Sequence, residues 1–101
     1  MSNLTEKEFS KHTGTEFQTE VNQKAIALKL TEVKGYLAKE NEQGGMERFS
    51  IFFNGPGESG LAQGIYHLSH EQMGEIDIFL VPISGDKRGY RYEAVFNYYK
   101  E

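Results

Sequence analysis

Residues 49–97 read FSIFFNGPG (49–57), QGIYHLSH (63–70), GEIDIFLVPISGD (74–86) and GYRYEAVFN (89–97), apart from short connections. Each run alternates apolar with polar residues over part of its length, and turns containing glycine separate the runs. Since no segment between them is long enough for a helical crossover, this spacing predicts four strands of an antiparallel sheet. No catalytic motif is visible in the stretch.

Two further strands are predicted upstream. Residues 17–21 alternate with a period of two, and after a turn at 22–24 the alternation resumes over 26–30. Val33 then falls out of phase with Leu30, which predicts a β-bulge or a strong bend at 31–33. The four later strands are predicted at 46–53, 63–69, 75–83 and 90–99. The turn residues 54–57 end the first of these, and a hairpin loop at 84–89 precedes the last. Pro82 is expected to end the regular pairing of its strand or to mark an edge of the sheet.

The N-terminus carries a helix signal. Thr5 followed by Glu8 is a capping-box pattern, Leu4 and Phe9 occupy hydrophobic-staple positions, and Gly14 is a stop signal. These residues predict a helix over about 5–12, lying across one end of a larger core.

The predicted fold is therefore mainly β, with a short N-terminal helix and a six-stranded antiparallel small barrel or tight sandwich. We favour the barrel, because closure removes exposed strand edges. Residues 1–101 are expected to form a single domain, since a chain of this length supports one modest core.

Composition excludes several classes of function. The net charge is −4 and the basic residues are scattered, which argues against nucleic-acid binding. There is no cysteine, so disulfides, thiolate metal sites and a cysteine nucleophile are excluded. The first residues show no signal peptide, and the apolar runs are far shorter than the ~20 residues of a membrane helix. We expect a cytoplasmic protein with no membrane partner.

The candidate chemistry is weak. His67 and His70 are three residues apart on a strand and so face opposite sides, which disfavours a shared metal ion. Glu75 and Asp77 share a face, but alternation with Ile76 points them at water rather than into a catalytic site. The glycines of 55–60 lack the lysine of a phosphate-binding loop, and no serine has a nucleophile context. We expect no catalytic, metal or cofactor site, and hence no enzyme.

The thirteen aromatic residues exceed what one small core needs. Phe52, Phe79, Tyr98 and Tyr99 are predicted to form an exposed apolar patch that binds a protein partner or a second copy of the chain. The alternative is a small-ligand carrier with a cavity inside the barrel. Six strands disfavour it, because about eight are the usual minimum for an internal ligand.

The second half of the chain resembles a family of small uncharacterised bacterial domains. Its pattern is F-S-L-x-F-x-G-P, Q-G-x-Y-x-L-x-H, L-G-x-x-x-L-F-L-V-P and Y-E-A-V-F-N, and the N-terminal L-T-x-x-x-F and the strand ending L-x-E-V also match. Met73 replaces the family's leucine before Gly74. The resemblance carries no activity and implies an accessory role in a phage-tail-like or surface assembly. His70 matches a family position, where a hydrogen bond that organises a turn explains a histidine as well as a site would.

Overall fold

The computed structural model describes residues 5–35, 46–57, 60–86 and 88–99, with the backbone alone at 46–47 and 97–99. Its elements are α1 (Glu6–Ser10), β1 (Glu16–Val21), β2 (Lys24–Gly35), β3 (Met46–Pro56), β4 (Gly64–His70), β5 (Gly74–Asp86) and β6 (Gly89–Tyr99). The strands form a closed barrel in the order β1-β2-β3-β6-β5-β4, and every pairing is antiparallel. The predicted six-stranded barrel is confirmed, and the sandwich is not formed.

Helix α1 begins where the capping box predicted and ends earlier. The side chain of Thr5 accepts a hydrogen bond from the Glu8 amide at 3.0 Å. After Ser10 the chain continues in turns to Gly14, which has a φ of +93° and donates its amide to the Leu30 carbonyl at 2.7 Å. Since this amide bonds to β2, the chain leaves the helix two residues before the predicted end. Leu4, the other staple residue, lies outside the described residues.

The turn and the bulge predicted upstream are both present. Asn22 and Gln23, with φ of 53° and 66°, form the tight turn between β1 and β2. In the pairing of β2 with β3, the register shifts between Leu30 and Glu32, so Thr31 is the bulged residue. The bulge returns Val33 to the face of Leu30, which restores the alternation and bends the strand.

Two strands run further than predicted. β3 continues through Gly55 and Pro56, because both pair with β6. A Cβ at Gly55 would lie 2.8 Å from Cδ2 of Leu28, so glycine allows the core to approach this end of β3. β5 continues past Pro82 to Asp86, which pairs with Gly89, so the pairing extends into the segment 84–89 that was predicted as a hairpin loop.

Pro82 is tolerated in β5 because the strand has changed neighbours by that point. The last pair of β5 with β4 is Leu80 with Gly64, and from Val81 onward β5 pairs with β6. On the β4 side, no neighbouring strand requires a hydrogen bond from the missing amide of Pro82. On the β6 side, the register shift between Pro82 and Ser84 interrupts the regular hydrogen bonding at the proline. The regular register ends at Pro82 as predicted, although the strand continues beyond it, and Pro82 lies beyond the last β4 pair, which agrees with the predicted edge.

The interior is filled by inward-facing side chains of all six strands and of α1. Phe9 is fully buried, with ring centroids 6.4, 5.9 and 5.3 Å from those of Phe17, Phe49 and Phe96. The short helix thus supplies one end of the core. Tyr92, also fully buried, accepts a hydrogen bond at its hydroxyl from the Leu61 amide at 2.7 Å, which ties the β3–β4 connection to the barrel.

The β1–β4 seam, meaning the junction that closes the barrel, is the least continuous pairing. Gln18 with Ser69 is the only residue pair that joins the two strands, both of which are fully described. By contrast, β4 pairs with β5 over its whole length from Gly64 to His70. The barrel is closed by a short contact at one end of this junction.

Candidate functional site on the outer face of the β4–β5 hairpin

His70 lies at the end of β4 and bonds through both ring nitrogens. Its Nδ1 accepts hydrogen bonds from the amides of Gln72 and Met73 at 3.0 and 3.1 Å, and its Nε2 lies 2.8 Å from Oγ1 of Thr15. An acceptor nitrogen carries no proton, so His70 is the neutral tautomer protonated at Nε2. The hydroxyl of Thr15 accepts a hydrogen bond from this N–H and donates one to the His12 carbonyl at 2.6 Å. The turn-organising role considered for His70 is what the geometry shows.

The same tautomer rules out a Thr15–His70 nucleophile pair in this arrangement. A general base must accept the hydroxyl proton of the nucleophile. Here the imidazole donates to the hydroxyl, and the hydroxyl proton is directed to a backbone carbonyl. The histidine of this threonine–histidine pair is therefore structural.

The surroundings of His70 reinforce its neutral form. Its ring centroid lies 4.3 Å from that of Phe17 and 4.9 Å from that of His12. Burial lowers the pKa of His70 below its ordinary value, and the charge of nearby His12 acts in the same direction, while Glu71 opposes it.

His67 lies on the opposite face of β4 and bridges the two carboxylates that the sequence singled out. Its Nδ1 is 2.7 Å from Oδ1 of Asp77, and its Nε2 is 2.7 Å from Oε1 of Glu75. These hydrogen bonds, that with Asp77 first, raise the pKa of His67. The carboxylates are highly exposed, at 68% and 70% of their side chains, as expected for a solvated face. Sequence reasoning missed this bridge, although the hairpin register places His67 directly opposite Asp77.

No metal site follows from this cluster. Each imidazole nitrogen faces a different carboxylate, so the three groups do not converge on one point. Within the part of the chain that the structure describes, no group of three or more His, Asp or Glu side chains is arranged to hold a metal ion.

Of the four residues predicted to form the partner-binding patch, the structure describes the side chains of two, Phe79 and Phe52, and these differ in exposure. Phe79 is exposed, at 49%. Phe52 is half-buried, with the guanidinium carbon of Arg91 4.6 Å from its ring centroid. Arg91 also bonds Glu32 at 2.7 Å, so this cover is held in place. The side chains of Tyr98 and Tyr99 lie outside the described residues, and their role stays a prediction.

Phe79 has a cross-strand neighbour that sequence reasoning did not select. Ile65 pairs directly with Phe79 in the β4–β5 register and is 74% exposed. Both point outward, because Tyr66, Leu68, Ile78 and Leu80 of the same strands face the core side. The pair could have been identified from the register of the hairpin together with the outward-facing position of Ile65 in the alternation of β4. We call Ile65 and Phe79 the outer apolar pair.

The match to a family follows the fold from α1 to β6. A family model described as "Domain of unknown function (DUF6916)" matches residues 4–96. The chain belongs to this family. This confirms the resemblance to an uncharacterised domain family. The matched residues include the helix and all of the barrel except the last three residues of β6. No curated protein and no solved structure matches the chain.

Among the described residues of the DUF6916 domain, no helix has the length and apolar character needed to cross a bilayer.

Proposed function

We propose that the protein is a non-enzymatic protein-binding module that contacts its partner through the outer face of the β4–β5 hairpin. The outer apolar pair carries the proposal, because Ile65 and Phe79 face solvent side by side. A cross-strand aromatic–aliphatic pair usually gains its stability from burial. Left exposed on a small acidic protein, it suits a contact surface better than a solvated one.

The arrangement of the polar groups supports a binding role over catalysis. The side chains of His70 and Thr15 form hydrogen bonds with backbone groups and with each other. Glu75 and Asp77 are solvated and share one histidine, whereas general acid–base catalysis favours a desolvated carboxyl group with a raised pKa.

The small-ligand carrier is the less favoured alternative. The barrel interior is occupied by large side chains with no exposed surface, among them Phe17, Phe53, Leu28, Leu80 and Tyr92. Such packing leaves little room for an internal ligand in a six-stranded barrel. The accessory role in a phage-tail-like or surface assembly, implied by the resemblance, agrees with a contact surface and stays a prediction.

The test compares threonine substitutions at exposed apolar residues of β4 and β5. Ile65→Thr and Phe79→Thr remove the outer apolar pair while keeping β-compatible or small side chains. Ile83→Thr is the control, since Ile83 is also exposed, at 45%, and lies at the far end of β5. A partner isolated with the wild-type protein from its native host is purified, and its Kd is measured against each variant.

We expect Ile65→Thr or Phe79→Thr to weaken this binding by about tenfold or more, and Ile83→Thr to leave it unchanged. Light scattering on the protein alone shows in parallel whether the partner is a second copy. Equal affinity of all variants for the purified partner would contradict the proposal, as would efficient turnover of a substrate by the purified protein.

A further inference from the structure

The outer apolar pair lies beside the two carboxylates of the hairpin. Asp77 is two residues from Phe79 on the same face of β5, about 7 Å along the strand. His67 has the same relation to Ile65 on β4 and pairs directly with Asp77. It contacts one oxygen of each carboxylate, Oδ1 of Asp77 and Oε1 of Glu75. Apolar and anionic surface are therefore adjacent on one face of two strands.

The neighbouring strand adds no positive charge to this face. Since Gln18 pairs with Ser69, the antiparallel register continued by two residues lays Glu20 of β1 alongside His67. β1, β4, β5 and the turn 71–73 contain no lysine and no arginine. Lys24, one strand further in β2, pairs with Val21 and so lies diagonally across from Glu20. The titratable groups that face His67 from the adjacent strands are Asp77, Glu75 and Glu20.

Another part of the outer face shows what a phenylalanine and a carboxylate bind together. The guanidinium carbon of Arg91 lies 4.6 Å from the ring centroid of Phe52, and its Nη2 is 2.7 Å from Oε1 of Glu32. Phe79 and Asp77 offer the same two kinds of group without the arginine. In the part of the chain that the structure describes, no cation covers the Phe79 ring, which is 49% exposed.

We infer that the outer face of the β4–β5 hairpin docks a basic surface of a partner protein, with an arginine that packs along Phe79 and pairs with Asp77 and Glu75 in place of His67. The inference rests on the proposed function and specifies the partner chemistry. Arginine suits the face better than lysine, because its planar guanidinium stacks on aromatic rings and binds both oxygens of a carboxylate. A second copy of this chain is less suitable, since both copies carry a net charge of −4.

Competition with His67 makes this docking depend on pH. The hydrogen bonds of His67 with Asp77 and then with Glu75 raise its pKa, so the protonated ring is the cation that these carboxylates hold in the free protein. An incoming guanidinium is repelled less when the imidazole is neutral. Docking therefore strengthens as the pH rises through the pKa of His67, and by linkage the bound arginine lowers that pKa.

The probe is a blocked pentapeptide, acetyl-Gly-Leu-Arg-Leu-Gly-amide, titrated into the isotope-labelled full chain and followed by NMR. The matched peptide carries citrulline, which has nearly the shape of arginine without its charge. Amide shifts give the Kd and the location of binding, and the histidine ring signals give each pKa with and without peptide. Asp77→Asn tests the carboxylate, and Asp86→Asn at the far end of the same strand is its matched control.

We expect the arginine peptide to bind about threefold to fivefold more tightly than the citrulline peptide, as for an exposed ion pair, and to shift the amides of Ile65 and Phe79. Its affinity rises between pH 6 and pH 9 and falls with added salt. The bound peptide lowers the pKa of His67 and leaves that of His70, on the opposite face, unchanged.

The variants separate the contributions of the two charged partners. Asp77→Asn removes most of the difference between the arginine and citrulline peptides, whereas Asp86→Asn keeps it. His67→Gln still binds the arginine peptide and loses the dependence on pH.

Several results would overturn the inference. These are equal binding of the two peptides, a bound peptide that leaves the pKa of His67 unchanged, and a full difference retained in Asp77→Asn. A further one is a dimer that Arg88→Gln dissociates, since this 93% exposed arginine would then come from a second copy.

Failure of the proposed function is distinct from these results. A purified partner whose affinity requires Ile65 and Phe79, but does not change with pH or in Asp77→Asn, would retain the proposed function and remove the basic partner.

Discussion

Nε2 of His70 donates a hydrogen bond to Oγ1 of Thr15 across 2.8 Å, which joins the end of β4 to the segment that leads into β1. This bond lies beside the single residue pair of the seam, Gln18 with Ser69. The ring also accepts two amides of the β4–β5 turn. One neutral imidazole therefore holds together three segments where the backbone pairing is shortest.

Removing this imidazole should destabilise the barrel. In His70→Ala, the amides of Gln72 and Met73 lose their acceptor, and the free energy of unfolding should fall by about 1–3 kcal/mol. Urea denaturation measures the change. His67→Ala is the matched control on the exposed face of the same strand and should cost clearly less, because solvent screens the interactions of His67 with its two carboxylates. Equal costs for the two variants would mean that the His70 contacts contribute nothing beyond a surface histidine.

Stability should depend on pH in opposite ways through the two histidines of β4. The pKa of His70 is lowered from 6.5, so the folded state binds fewer protons than the unfolded state. Its contribution is complete above pH 6.5 and is lost as the pH falls below 6.5 toward the folded-state pKa. The pKa of His67 is raised from 6.5, so its contribution is complete below 6.5 and is lost as the pH rises through the folded-state pKa.

The two limbs are separated by variants measured between pH 5 and 8. His67→Gln should flatten the decline in unfolding free energy above pH 6.5 and retain the decline below it. His70→Asn should do the reverse, whatever its absolute stability. The groups facing His70 are His12, Glu71, Thr15 and Phe17. A decline below pH 6.5 that persists unchanged in His70→Asn would contradict its assignment to His70.

The ring of Tyr90 leaves no room for a side chain at Gly85. A Cβ on Gly85 would overlap atom Cδ1 of the Tyr90 ring, and one on Gly60 would lie 2.8 Å from its Cζ. Gly85→Ala should therefore lower the free energy of unfolding by about 1–3 kcal/mol, as overpacking does. The cost should shrink when Tyr90→Leu is already present, which a double-mutant cycle by urea denaturation measures.

Gly64→Ala is the control for this cycle, because the nearest atom to its Cβ is 3.9 Å away, on the Tyr66 ring. It should change stability by less than about 1 kcal/mol in either direction. Full additivity of Gly85→Ala and Tyr90→Leu would show that the ring is not what excludes a side chain.

The cap of α1 should contribute measurably although the helix is short. Thr5→Ala leaves the Glu8 amide without its acceptor and should cost about 0.5–2 kcal/mol, whereas Thr5→Asp should retain the bond. Thr13→Ala is the matched control, since this exposed threonine lies beyond the helix. Thermal or urea denaturation compares the three. Loss in Thr5→Asp as large as in Thr5→Ala would argue against the hydrogen bond as the cause.

Local patterns predicted the strands well because a half-buried strand leaves a period of two in the sequence. The alternation at Phe17, Ile26, Phe49 and Ile76 identified their inward side correctly, and the slip at Val33 identified the bulge. Strand ends were less predictable. Pro82 and Gly55 are breakers by local rules, and both lie in strands because β6 supplies a neighbour at those positions.

By itself, the sequence determined the number of strands, the antiparallel class, the inward residues and the absence of cysteine chemistry, since these depend on near neighbours along the chain. Only the tertiary structure decided how Thr15 meets His70, how His67 joins Glu75 to Asp77, and where β1 closes the barrel on β4. The physical reason is that pairing between distant strands sets these contacts. The proposed binding surface belongs to this second group, because the register of β4 with β5 places Ile65 beside Phe79.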